Sequence, residues 1–246
     1  MQNPLAVLSD IHSNYEALTA VLDDLKSQEI SRIVCLGDTV GYASGVRSCL
    51  RAVRGLGCPV LMGNHDEAAC LPEPPEDLNE TATAGIIFSS ARLSKSDHSW
   101  LQSLPRTLIV EGLTFTHASL EDESDWPYIL FPEDAHYHFE KQSTHLAFCG
   151  HTHDPMVWWQ ESPRSPCLQV AGQGVISLPS NGKVLVNVGS VGQPRDGNAR
   201  ACYVIFRADQ GTVEFRRVDY DIKRTKKKIL RAKLPIFTAQ RLSLGQ

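Results

Sequence analysis

The first half of the chain alternates short apolar runs with stretches whose apolar residues recur at helical spacing. PLAVLSD reads as a buried strand. In the following SNYEALTAVLDDLKSQ, residues Leu18, Val21, Leu22 and Leu25 keep the i, i+3, i+4, i+7 spacing of one helix face, with Ser13 or Asn14 placed to cap its start. RIVCLGD, GVRSCLRAVRGLG and PVLMGNHD continue the series as strand, helix and strand. A β-α-β-α-β order predicts parallel pairing with right-handed crossovers. The proline- and acid-rich LPEPPEDLNE (71–80) reads as a loop rather than a domain boundary, and helical patterns return over 82–104.

The second half is richer in strands: TLIVEG, LTFTH, HLAFCG, PMVWWQ, VLVNVG, ACYVIF and TVEFRRV. Short turn sequences separate several of them, which predicts antiparallel pairs. The acidic and aromatic stretch SLEDESDWPYILFPEDAHYHFE (119–140) interrupts the series and reads as a surface excursion or a cap over a site. The order fits an α/β fold of two packed β-sheets flanked by helices, within one domain spanning 1–246.

Composition narrows the class. Hydrophobic residues at 42% and charged residues at 21% are ordinary for a globular enzyme, and no stretch approaches the ~18 apolar residues of a membrane span. The start, MQNPLAVLSD, lacks a basic leader, so a cytoplasmic location and no membrane association are expected. Seven cysteines without a C-x-x-C predict no structural disulfide. Of the 24 basic residues, seven fall in IKRTKKKILRAK, leaving 17 against 28 acidic residues elsewhere. Ile222, Ile229, Leu230 and Leu234 are compatible with an apolar face there, so a basic helix near 221–233 with a solvated outer side is expected. The acidic remainder argues against broad nucleic-acid binding.

Five apolar runs end in groups suited to metals: LAVLSDIH, RIVCLGD, PVLMGNHD, LTFTH and HLAFCGHTH. Ligands of α/β sheets gather outside the carboxyl ends of strands, so these ends are expected to converge and bring together Asp10, His12, Asp38, Asn64, His65, His117, His151 and His153. In CGHTHDP (149–155), the alternation of an extended chain would point His151 and His153 the same way. One ion does not need so many donors. Mixed carboxylate, imidazole and amide oxygen suit Mn²⁺, Fe or Zn²⁺ rather than a thiolate-rich structural site. Two ions about 3.5–4 Å apart can hold both nonbridging oxygens of a phosphate and stabilise in-line displacement.

DIHSN, GDTVGY, GNHD, TH and GHTH, in that order from about Leu5 to about Arg200, resemble the calcineurin-like metallophosphoesterases. Together with GSVGQPR, they are most similar to a branch of small bacterial and archaeal phosphodiesterase-like members. The resemblance implies a four-layer αββα sandwich and two divalent ions per chain, Mn²⁺ favoured over Fe, Zn²⁺, Ni²⁺ or Co²⁺. Carried over residue by residue, it implies that Asp10, His12 and His153 hold one ion, Asn64, His117 and His151 the other, and that Asp38 bridges. His65 matches the position that contacts phosphate and helps the leaving oxygen depart. The implied activity is hydrolysis of a small phosphodiester or nucleotide by a metal-bridging hydroxide. Alternatives are a phosphomonoesterase of small molecules or proteins, or a non-catalytic scaffold.

The chain departs from the protein phosphatase branch, which has an aspartate and an arginine soon after its G-D where Gly41 and Tyr42 stand here. Asp66 is therefore a candidate to orient His65 or to cap the following helix. Arg195, on a glycine-rich strand exit, is a candidate phosphate clamp or a loop arginine paired with Asp196 or Asp219. His98 and His145 are expected to be structural, and His136 and His138 to belong to the cap.

Overall fold

A computed structural model describes residues 3–122 and 125–246. β1 (Leu5–Leu8) leads into α1 (Tyr15–Ser27), β2 (Arg32–Cys35) and α2 (Val46–Gly55). β1 and β2 pair in parallel. Asn14 is the residue that caps α1, accepting from Ala17 N at 3.2 Å, and the helix buries Leu18, Val21 and Leu25. After Val60 the expected third strand is only a single parallel bridge to Cys35. The amide of Met62 turns to Pro105 O and that of Gly63 to the Asp66 carboxylate, so the chain leaves the sheet and enters a short helix, α3 (Asn64–Ala68). Helices α4 (Glu80–Ser90) and α5 (Lys95–Gln102) complete the first half.

The strands that follow are β3 (Thr107–Val110), β4 (Leu113–Thr116), β5 (Leu146–Cys149), β6 (Met156–Gln160), β7 (Leu168–Ala171), β8 (Gly174–Ser177), β9 (Lys183–Asn187), β10 (Ala201–Arg207) and β11 (Thr212–Val218). They form two mixed sheets, in the orders β2-β1-β10-β11-β8 and β3-β4-β5-β9-β6-β7. Parallel β4-β5-β9 pairing lies among the expected antiparallel pairs. The edge strands β7 and β8 escaped the apolar pattern because they are mostly exposed.

Continuous apolar runs mark strands covered on both faces, and the packing accounts for each face. Val7, Val34, Phe148, Val186 and Val204 meet between the sheets, while Ala6, Leu8, Tyr203 and Ile205 face α1 and α2 on the other side of the first sheet. Ala147, Cys149 and Leu185 face outward from the second sheet onto Ala135 and Phe139 of α6 (Pro132–Lys141). The helical end of the excursion is thus the outer layer of the sandwich. Only its first part, from Asp125 on, reaches the strand ends, while residues 123 and 124 lie outside the described residues.

The basic stretch forms α7 (Ile222–Arg231), capped by Asp221 and followed by α8 (Ile236–Arg241). Its basic face is not wholly solvated, since Lys228 and Arg224 both reach Glu16 in the first turn of α1. All seven cysteines are free thiols. No helix among the described residues is long and apolar enough to cross a membrane.

Candidate metal centre

The strand ends do converge. Asp10 and His12 follow β1, Asp38 follows β2, Asn64 and His65 open α3, His117 follows β4, and His151 and His153 follow β5; the seven Asp and His side chains are all buried. His153 and His151 do not reach the site by strand alternation. Thr152 N bonds Gly150 O at 2.8 Å, and both histidines have left-handed backbones, with φ of 68° at His151 and 63° at His153. Asp10, His12 and Asp38 share that conformation, with φ of 55°, 47° and 52°. Each such residue costs roughly 1–3 kcal/mol, and such strain clusters where function requires it. Loop-to-loop bonds hold the turns: His12 N to Asp38 O at 2.8 Å, Gly150 N to His117 O at 3.0 Å, and Arg195 N to His153 O at 3.2 Å. The first residue of GHTH must be glycine, because a Cβ on Gly150 would stand 2.0 Å from Ser9 Oγ and 2.4 Å from Asp10 Oδ2.

Three imidazoles are fixed through Nδ1, which faces a carbonyl oxygen in each case: His12 to Val40 at 3.2 Å, His117 to Leu36 at 3.0 Å and His153 to Gln193 at 2.6 Å. A carbonyl only accepts, so Nδ1 carries the proton and Nε2 is turned inward. This is the usual support of a metal-binding histidine. Inside, His153 Nε2 lies 3.0 Å from His12 Nε2 and 3.1 Å from Asp10 Oδ1. Asp38 Oδ2 stands between two groups, 3.4 Å from His12 Nε2 and 3.5 Å from His117 Nε2, and Asn64 Oδ1 is 3.1 Å from His117 Nε2. His151 diverges from His153. Its amide donates to Asp10 Oδ2 at 3.0 Å, and its ring lies 5.1 Å from that of His117 and stacks on Tyr128 at 4.0 Å.

Electrostatics favours a cation here. Burial pushes His153 and His151 down to about 3, leaving neutral imidazoles. Burial alone would raise Asp10 and Asp38, yet the imidazoles around them hold both carboxyls below the usual range. Burial would likewise lower His117, but Asp38 and Asp10 outweigh it and push His117 up to about 9. Asp10 Oδ1 and His151 Nε2 are buried with no hydrogen-bond partner among the described residues. Unprotonated donors facing one another at 3 Å repel unless a cation lies among them. Asp10/His12/His153, Asp10/Asp38/His117 and His12/Asp38/His65 each gather ligand atoms within 4.8 Å of one another, so these residues fit divalent ions.

His65 lies at the edge of this cluster, its ring 4.7 Å from those of His12 and Tyr42. Burial pushes it down to about 3, and its Nδ1 has no partner. Asp66 does not orient it. Its carboxylate accepts from the amides of Thr39, Val40 and Gly63 at 3.1–3.3 Å, which caps α3 and ties two motif loops together. Nor could an aspartate at position 41 serve His65 in this pose, since a Cβ there would stand 2.6 Å from His65 Nδ1 and φ is +111°.

Arg195 is not paired with Asp196, whose carboxylate is taken by Arg217. It donates to Tyr42 Oη at 3.2 Å and Gln193 Oε1 at 3.3 Å. Of the remaining histidines, His98 bonds Cys70 O and His145 bonds Gly182 O and Pro179 O, in structural roles. His136 contacts Gln160, and His138 accepts from Leu120 N, so both serve α6 and its surroundings.

Sequence reasoning missed Trp126, edge-on to His117 at 5.6 Å, as well as Tyr128 and Arg241. The only signal for the first two was the aromatic cluster in the excursion. Asn64, Glu67, Asp77, Trp126, Tyr128 and His151 line an adjoining cavity of about 370 Å³.

A crystal structure of a metallophosphoesterase from Sphaerobacter thermophilus superposes with a TM-score of 0.87 at 33% identity, covering 99% of each chain. An uncharacterised protein of Methanocaldococcus jannaschii is 37% identical over the whole of both chains. A hypothetical protein from Pyrococcus horikoshii, at 20% identity, a TM-score of 0.79 and 100% and 99% coverage, shares the fold. The family model of the calcineurin-like phosphoesterase superfamily domain matches residues 4–211, the span that carries all five strand-end motifs, and the chain therefore belongs to that superfamily.

Proposed function

We propose that the protein hydrolyses a small phosphodiester or nucleotide with the help of two divalent ions. The observation that carries this reading is the inward convergence of imidazole Nε2 atoms and carboxylate oxygens around Asp10 and Asp38, with His12, His117 and His153 each fixed from behind by a carbonyl. Asp10, His12 and His153 would hold one ion, Asn64, His117 and His151 the other, and Asp38 both. Mn²⁺ is the favoured ion. Such ions supply Lewis acidity toward phosphate oxygens and lower the pKa of water.

The chain's own residues supply the rest. The left-handed loops hold the donors in place before substrate arrives, His65 stands beside the cluster to donate a hydrogen bond to the leaving oxygen, and Arg195 offers a planar fork to phosphate oxygens. The cavity beside His151, with Trp126 and Tyr128 in its wall, gives room to the organic part of the substrate. The test is to screen the stripped protein, reloaded with each metal, against a chromogenic phosphodiester, the matching monoester and dinucleoside polyphosphates. Diester turnover is expected to dominate. Turnover of the monoester alone would replace the reading with a phosphatase, and turnover of none with any metal would leave a scaffold.

Arg195→Ala and Arg195→Lys are expected to keep both metals and nearly wild-type melting while kcat/KM falls about 10-fold or more, at least ~1.4 kcal/mol of transition-state stabilisation. Lysine should substitute poorly, because ammonium is a point charge. Unchanged kinetics would remove Arg195 from the site.

A further inference from the structure

A second arginine stands beside Arg195, and the strand-end motifs do not include it. The guanidinium carbons of Arg195 and Arg241 lie 5.8 and 5.9 Å from the centre of the Tyr42 ring, which is itself 4.7 Å from the rings of His12 and His65. Arg241 belongs to α8, beyond the span matched by the family model. Its placement is built into the fold: Ile229, Leu234, Ala239 and Leu242 pack with Ala43, the neighbour of Tyr42.

Neither arginine is answered by an acidic side chain. Among the described residues, no aspartate or glutamate pairs with Arg195 or Arg241. Arg195 contacts the neutral oxygens of Tyr42 and Gln193 and the phenol of Tyr128, and its Nε is buried without a partner. Arg241 donates Nε to the main-chain oxygen of Gln246, the last residue of the sequence, while its terminal amino groups make no hydrogen bond among the described residues. Burial and the charge of Arg195 both press Arg241 below its ordinary value. At 5.8 and 5.9 Å both contacts with Tyr42 stand near the ~6 Å limit of a cation–π interaction, a small return for two like charges held in a half-buried place. An anion between them removes the repulsion and gives both guanidiniums oxygen partners.

We propose that Arg195 and Arg241 form a two-armed anion subsite beside the metal centre, selecting phosphoesters that carry a second phosphate next to the scissile one, the nucleoside polyphosphate type. This rests on the phosphoesterase reading above and narrows its substrate class.

The test is calorimetric titration of the metal-loaded protein with inorganic tripolyphosphate and with orthophosphate, free metal being kept in excess, alongside kcat/KM for a dinucleoside polyphosphate and a chromogenic diester. Wild-type protein is expected to prefer tripolyphosphate by at least about 10-fold. Arg241→Gln should remove most of that preference and should lower kcat/KM for the polyphosphate at least about 5-fold more than for the diester. Arg241→Lys, which keeps charge and length, should fall between, and it carries the comparison if the glutamine variant does not fold. Equal wild-type affinity for the two anions, or a preference unchanged in both variants, overturns the subsite. A preference lost in the variants of a protein that turns over no phosphoester would overturn the catalytic reading and leave the subsite standing.

Discussion

Asp38→Asn is expected to abolish turnover, by at least about a thousandfold or ~4 kcal/mol of barrier, with little loss of fold. The substitution is isosteric, and asparagine keeps an oxygen for the bond that His65 N donates to Oδ1 at 2.8 Å. What it removes is the negative charge of Oδ2, which lies 3.4 Å from His12 Nε2 and 3.5 Å from His117 Nε2 and so faces both halves of the donor cluster. Among the described residues, no other carboxylate oxygen lies so evenly between His12 and His117, since Asp10 Oδ1 is 3.6 and 4.0 Å from the same atoms. Elemental analysis should find fewer than two metals per chain in the variant. Full activity with normal occupancy would take Asp38 out of the centre.

His65→Ala should separate holding metal from moving a proton. The structure brings His65 within reach of His12 and Asp38, so loss of an ion is the competing outcome. If His65 serves the leaving group, the variant keeps its metals and loses rate by about 10²–10⁴-fold, the usual range for general acid assistance. Burial pushes the free imidazole down to about 3, so at neutral pH it donates from a neutral ring unless the phosphate's charge raises it. The defect should therefore be largest for a poor leaving group such as an alkoxide and should shrink for nitrophenol. Equal losses for both would count against the role, and a drop in metal content would reassign His65 to the ions.

Much of the fold was readable because burial leaves a local trace. Strands covered on both faces appear as unbroken apolar runs, as in LAVL and LAFC, and α1 shows its buried face at helical spacing. Where burial is slight the trace fades: β7 and β8 are edge strands with exposed residues, and Val60 makes one bridge before the loop bonds of Met62 and Gly63 take over. The excursion stayed open between two readings for a related reason. Its aromatic and acidic composition suits both a cap and an outer helix, and only packing against Leu185 and Trp158 distinguishes them.

By itself, the sequence determined which residues can serve a metal and that they stand at strand ends, because donor chemistry belongs to the side chain and strand ends follow from where apolar runs stop. Tertiary structure alone decided how those residues face one another. His151 and His153 part company through left-handed backbones held by bonds to distant loops, and the Nδ1 bonds that aim three imidazoles inward go to carbonyls 28, 81 and 40 residues away. Arg195 and Arg241 both approach the Tyr42 ring because the C-terminal helices, as far along the chain as Leu242, dock on Ala43. Hydrophobic periodicity reports which face of an element is buried. It carries no record of which distant element buries it, and the pairing of charges across that contact follows only from the partner.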